Sequence, residues 1–155
     1  MIDYIKSIRA KIGHDTLYVT GCGILLIKDD RVLLQLRKDT NQWCIPGGLI
    51  ELGETFLECA IREVFEETGL TVKSANLFGI YSGKDFFAEY PNGDKIYGTN
   101  VIFISDDFSG ELQSDAAESF EHIYFGKSEM PENIVGLQKN WILGWANGEQ
   151  PVVVM

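Results

Sequence analysis

Apolar residues follow two rhythms along this chain. Residues 16–28, TLYVTGCGILLIK, and 31–36, RVLLQL, are dense in branched aliphatics and predict two strands, with Asp29-Asp30 as a tight hairpin turn between them. Residues 43–46, WCIP, predict a short strand stopped by Pro46 and the Gly47-Gly48 pair. The rhythm then becomes helical over 55–68. Thr55 and Glu58 form a capping-box pattern at its start, and Gly69 stands where a terminating glycine belongs. Residues 71–82 and 96–105 predict strands, with PNGD at 91–94 as a hairpin tip, and 121–126 predict one more. Residues 2–11 predict a short amphipathic helix through Ile2, Ile5 and Ile8, ended by Gly13. Residues 133–146 predict a last helix, whose stripe Ile134, Leu137, Trp141 and Trp145 reads as core. Strands dominate, so the expected fold is α/β, a mixed sheet between helices. At 155 residues one domain over 1–155 is expected, with 1–15 as a helical extension.

Composition narrows the function. Hydrophobic residues at 45% and charged residues at 23% are ordinary for a globular chain. The net charge of −10 disfavours broad, charge-driven binding of nucleic acid, so no nucleic-acid partner is expected. It also repels polyphosphates unless a metal ion intervenes. Cys22, Cys44 and Cys59 are odd in number and widely spaced, which reads as reduced, buried thiols. The start, MIDYIKSIRAKIGHD, is too polar for a signal peptide, and no apolar run reaches membrane-spanning length. A cytoplasmic protein with no membrane partner is expected.

The stretch GGLIELGETFLECAIREVFEETGL (47–70) carries the chemistry. On a helical wheel Leu57, Ala60, Ile61, Val64, Phe65 and Thr68 share one arc, and Glu63, Glu66 and Glu67 share the opposite one. A solvated face explains a polar arc. It explains three carboxylates near the C-terminal end less well, because the helix dipole already makes that end negative. A hard divalent cation with oxygen ligands removes the penalty. Gly47, Gly48 and Gly53 allow a loop with sharp turns beside that face, and Glu51 and Glu54 add carboxylates. Residue type and spacing alone thus point to metal-assisted phosphate chemistry.

Gly48, Glu54 and then Arg62-Glu63-Val64-Phe65-Glu66-Glu67-Thr68-Gly69-Leu70 stand at the spacing G-x5-E-x7-R-E-U-x-E-E-x-G-U, with U aliphatic. This resembles the Nudix box at every fixed position, over residues 48–70. A chance match at a given start is on the order of 10⁻⁹ or less from average residue usage. Trp43…Pro46-Gly47-Gly48 and Tyr124-Phe125…Met130-Pro131 extend the likeness across residues 16–146. The resemblance implies an α/β/α sandwich around a mixed sheet. It also implies hydrolysis by water of a diphosphate linkage in a nucleoside diphosphate joined to a group X, with Mg²⁺ or Mn²⁺ as cofactor.

Carried over residue by residue, the resemblance makes Glu63, Glu66 and Glu67 metal-binding carboxylates and the Gly48 carbonyl a main-chain ligand. It makes Arg62 the arginine that holds loop carboxylates, Glu54 first. The general base is a carboxylate of the box or one outside it. Asp115, Glu118 and Glu121 are candidates, and Glu118 is preferred for its place before Tyr124. Arg37 resembles a phosphate-binding arginine, against the plain reading of a surface arginine. The aromatic stretch YSGKDFFAEYPNGD (81–94) holds Tyr81, Phe86, Phe87 and Tyr90, any one of which could stack a nucleobase, against sheet-face packing; Phe87 and Tyr90 are the preferred candidates, and Trp43 stands under the same pair of readings. His14 and His122 read as hydrogen-bonded structural residues. The proline common in ADP-ribose hydrolases is replaced by Phe86. No other subgroup marker is intact. The expected substrate is a small nucleotide, a nucleoside diphosphate-X or a nucleoside triphosphate, oxidised dNTPs included, cleaved to a nucleoside monophosphate. The alternatives are a nucleotide sugar, a CDP-alcohol or a dinucleotide. A non-catalytic nucleotide-binding regulator is the reading from another class, which the intact box argues against. A homodimer is the default oligomer, and no sequence feature marks its interface.

Overall fold

The computed structural model describes residues 4–90, 92–113, 119–149 and 153–154. The strands are β1 (Leu17–Lys28), β2 (Arg31–Arg37), β3 (Trp43–Cys44), β4 (Gly47–Leu49), β5 (Thr71–Tyr81), β6 (Phe87–Glu89), β7 (Lys95–Ser109), β8 (Ser119–Gly126) and β9 (Val153–Val154). The helices are α1 (Tyr4–Ile12), α2 (Phe56–Thr68) and α3 (Lys139–Ala146). The strands make one mixed sheet in the order β3-β2-β1-β7-β5-β9. β4 sits beside β1, β6 beside β7 and β8 beside β2.

β1 runs parallel to β7 from Leu17↔Ile96 to Leu26↔Ser105 and is the spine of the sheet. Its hairpin to β2 turns on Asp29 and Asp30, both at positive φ (51° and 55°), as a tight twisted turn requires. Aspartate tolerates that conformation through local side-chain hydrogen bonding. Beyond the hairpin β1 pairs with β4 instead of β2, Cys22 opposite Gly48.

Both faces of β1 are buried, which explains its near-continuous apolar run. Ile24 and Leu26 join Leu33 of β2, Val72 and Val101 beneath Cys59, Ala60 and Val64 of α2. Leu25 points the other way, with Val32, Leu34, Phe78 and Ile102, onto Trp141, Ile142 and Trp145 of α3. The α/β/α layering expected from the sequence is therefore present. Cys22, Cys44 and Cys59 are free and buried, as read. Burial pushes the Cys44 thiol up to about 12. Among the described residues no helix is long and apolar enough to cross a membrane.

Four sequence expectations are corrected. The short strand expected at 43–46 ends at Cys44, before Pro46, but Gly47-Gly48 begins a further strand, β4, because a glycine backbone can lie flat against β1. β6 was not foreseen; it pairs with β7, and Tyr90, Gly93 and Asp94 are bonded to one another between the two strands. Residues 133–135 are extended, not helical. Trp43 N–H donates to Asn133 O and Val135 N–H to Trp43 O, so the chain turns helical only from Gly136. Finally, α2 is rotated from the expected arc. Glu67 is buried at 7% exposure and Phe65 lies 57% exposed.

Candidate active site

The first turn of α2 is fixed by its cap. Glu58 N–H donates to Thr55 Oγ1, and Thr55 N–H donates back to the Glu58 carboxylate. Gly69, at φ 71°, ends the helix with its N–H on Phe65 O. The acidic face is thereby aimed at β4, where two glycines admit it. A Cβ on Gly47 would lie 2.8 Å from Gly23 Cα and strike the Cys22 carbonyl. A Cβ on Gly48 would run into the Glu63 carboxylate. The missing side chain at Gly48 is the reason a carboxylate can stand against the strand, and the one missing at Gly47 lets β4 lie close on β1.

Arg62 organises the acids. Its Nε donates to Glu54 Oε1 (2.6 Å) and Nη2 to Glu54 Oε2 (3.0 Å), a bidentate pair. Nη1 reaches Glu63 Oε1 (2.7 Å) and Glu66 Oε2 (3.1 Å), and Nη2 also meets Leu49 O (3.2 Å). The guanidinium hydrogen-bonded to Glu54 holds that carboxyl below its ordinary range. Glu67 is positioned separately: Gly47 N–H donates to its Oε2 at 2.8 Å. This bond explains the rotation of α2, since a carboxylate tucked under the sheet needs a donor there.

Beside this face opens a cavity of about 450 Å³, within the range of small-ligand sites. Gly48, Glu63 and Glu67 are among its lining residues. Arg37 lines it as well. Its Nε and Nη2 bind Asp39 at 2.8 and 2.6 Å, which keeps the guanidinium charged and lowers the Asp39 carboxyl. Phe86, Ala88 and Tyr90 line it too, as do the apolar Ile45, Leu137 and Trp141.

Strand alternation decides which aromatics reach the cavity. Phe86, Ala88 and Tyr90 share one face of β6. Phe87 faces away, its ring 5.2 Å from that of Tyr97. Of the two stacking candidates, Tyr90 is in the cavity and Phe87 is not. Trp43 takes the packing role, edge-on to Phe125 at 4.9 Å. His14 bonds Asp94 and His122 bonds Gln35, as structural residues do. Glu118 and Asp115 lie outside the described residues, and Glu121 is on β8 opposite Leu36. Of the other aromatics of that stretch, Phe86 also lines the cavity and Tyr81 does not. Sequence reasoning did not single out Asn100, a further lining residue marked only by its pairing with Gly21, where a Cβ would lie 2.8 Å from the Asn100 Oδ1.

The Gly48 carbonyl and the Glu63 carboxylate beside it are oxygen donors, which suit a hard divalent cation, and the bare Gly48 position leaves that carboxylate its place; the Cys59 thiol also lies 4.0 Å from the Gly48 carbonyl. Among the described residues no three acidic, histidine or cysteine side chains converge into a ready ligand cluster. Glu63 and Glu66 are drawn to Arg62 instead, Glu66 with 57% of its side chain exposed.

Carboxylates of an acidic helix face line a cavity of small-ligand size on an α/β/α sandwich. Residues 17–142 match the NUDIX domain, and the chain belongs to that family: it is a Nudix pyrophosphohydrolase. Members of the family typically use a divalent metal ion. The chain is 34% identical to an ADP-ribose pyrophosphatase of Methanocaldococcus jannaschii, over 87% of this chain and 77% of that protein. It is 27% identical to a Bacillus subtilis protein provisionally named an 8-oxo-dGTP diphosphatase, over 89% and 87%. The crystal structure of a MutT NUDIX hydrolase from Burkholderia pseudomallei superimposes with a TM-score of 0.70 at 23% identity, over 80% of this chain and 95% of that one, which shows the shared fold.

Proposed function

We propose that this chain hydrolyses the diphosphate linkage of a small nucleotide, a nucleoside diphosphate-X or a nucleoside triphosphate, and releases a nucleoside monophosphate. The observation that carries this reading is the cavity itself. Its lining combines Gly48, Glu63, Glu67 and Arg37 with the aromatic Phe86 and Tyr90. That mixture suits a ligand with a phosphate part and a flat apolar part. Mg²⁺ or Mn²⁺ would be held by the Gly48 carbonyl and the carboxylates of Glu63, Glu66 and Glu67, and when bound would neutralise the diphosphate and acidify a water.

The chain's own residues do the rest. Arg62 keeps Glu54 ionised and holds both Glu54 and Glu63 in place. The Gly47 N–H fixes Glu67. Arg37 meets a phosphate with the nitrogen Asp39 leaves open, or by exchanging Asp39 for it. A carboxylate of the box, or Glu118, receives the water's proton. Tyr90 and Phe86 pack on the base or on X.

The stronger likeness to an ADP-ribose pyrophosphatase puts ADP-ribose first among substrates, ahead of oxidised dGTP. The test is product identification with Mg²⁺ across ADP-ribose, oxidised dGTP, ordinary nucleoside triphosphates, nucleotide sugars, CDP-alcohols and dinucleotides. Cleavage of one class to a nucleoside monophosphate is expected. Tight binding without turnover of any compound overturns the hydrolase reading in favour of a nucleotide-binding regulator.

A further inference from the structure

The aromatic cavity wall is a thin structure. β6 has three residues and pairs only with the start of β7, as Phe87↔Tyr97, Ala88↔Ile96 and Glu89↔Lys95. Three paired residues hold a hairpin poorly unless something else covers it. Here that support comes from α1, which lies outside residues 17–142, the stretch that matches the family domain.

Arg9 of α1 makes the contact. Arg9 Nη1 donates to Asp15 O (2.6 Å) and Gly13 O (3.1 Å), which ties α1 to the entry of β1. Its Nη2 donates to Lys95 O (2.8 Å), the first residue of β7, and its Nε lies 3.6 Å from the Asp94 carboxylate. Only 13% of the Arg9 side chain is exposed. His14 adds a bond to the same Asp94 oxygen (2.8 Å). Asp94 in turn holds the turn: Tyr90 N–H donates to Asp94 O (2.9 Å), and Asp94 N–H donates to Asn92 Oδ1 (3.0 Å). An unbroken line of bonds therefore runs from Arg9 to the backbone of Tyr90, and on through the strand pairing to Phe86, whose carbonyl accepts from Gly98 N–H.

We infer that Arg9 is a positioning residue for substrate binding: from the N-terminal helix it fixes the β6–β7 hairpin so that Phe86, Ala88 and Tyr90 face the cavity. This rests on the reading of that cavity as the nucleotide site. A planar guanidinium is needed, because it reaches the α1–β1 turn and Lys95 O at once; a lysine ammonium on a flexible stem spans only one.

The test compares Arg9→Ala, Arg9→Lys, Tyr90→Ala and the control Lys11→Ala, an exposed cation on the same helix. Steady-state kinetics on the best substrate are combined with amide hydrogen exchange of Tyr90, Gly93 and Gly98 in the free enzyme. Arg9→Ala is expected to raise KM about five- to tenfold with kcat changed less than about twofold, and to speed exchange in the hairpin. Arg9→Lys falls between, and Lys11→Ala matches the parent. Unchanged KM and exchange in Arg9→Ala, or a fall in kcat at constant KM, overturns the inference. If Arg9→Ala fails to fold, Arg9→Lys with parental KM and exchange overturns it equally. If Tyr90→Ala raises KM while the Arg9 variants do not, the positioning role alone fails. If Tyr90→Ala also leaves KM unchanged, the cavity reading fails with it.

Discussion

Replacing Arg62 by alanine removes the group on which three carboxylates converge. Glu54 loses two charge-assisted bonds and Glu63 loses one, with side-chain exposures of 18% and 16%. Glu66 is largely in water and adds nothing to count on. A hydrogen bond to a charged group is worth about 1.5–3 kcal/mol, and freed carboxylates at these exposures regain part of it from water. The expected loss is about 2–4 kcal/mol at pH 7. For a chain of this length each kcal/mol moves the melting temperature by about 2–4 °C, so the shift is about 4–16 °C. The pH dependence has a definite sign. Arg62 lowers the Glu54 carboxyl from its ordinary value of 4.5, so this stabilisation is present above that value and is lost as pH falls through the lowered one. The gap between parent and Arg62→Ala should therefore be full at pH 7 and shrink below about pH 4.5. Thermal melts at both ends of that range read it directly. A shift under about 1 °C at pH 7, or one that stays constant into acid, refutes the reasoning.

Three further outcomes follow from the same geometry. Gly48→Ala drives a Cβ into the Glu63 carboxylate, so metal-dependent kcat/KM should fall about ten- to a hundredfold while far-UV circular dichroism stays unchanged. Mg²⁺ at about 100 times its Kd should stabilise the folded chain by about 2.7 kcal/mol in denaturant titrations, and the Glu63→Gln/Glu67→Gln double variant should lose that gain. Cys44, 1% exposed with its thiol pushed up to about 12, should resist a thiol reagent at pH 8 in the native enzyme and react at once on unfolding.

The box was legible because its chemistry is local. Thr55, Glu58 and Gly69 fix α2 by contacts within the helix and its ends, and helical spacing alone groups Glu63, Glu66 and Glu67. Arg62 reaching Glu54 is likewise a contact across eight positions. The strands 17–28, 31–37 and 71–81 were legible because burial on one or both faces writes itself into an apolar run. What the sequence hid depends on distant partners. The rotation of α2 follows from one bond, Glu67 to Gly47 N–H, that joins positions twenty apart. The extended 133–135 follows from Trp43, some ninety residues away. β6 is three residues long, too short to show a period, so the choice between Phe86 and Phe87 could not be made before its register was seen. Asn100 carried no motif at all.

The central claim is that the acidic face of α2 performs the hydrolysis. Its most direct measurement is kcat/KM with Mg²⁺ on the best nucleotide of the panel, for the parent and for Glu66→Gln and Glu67→Gln, each shown by thermal melting to be folded. The account predicts nucleoside monophosphate from the parent and a loss of about a thousandfold or more in both variants. Turnover within a few fold of the parent in either folded variant would contradict it.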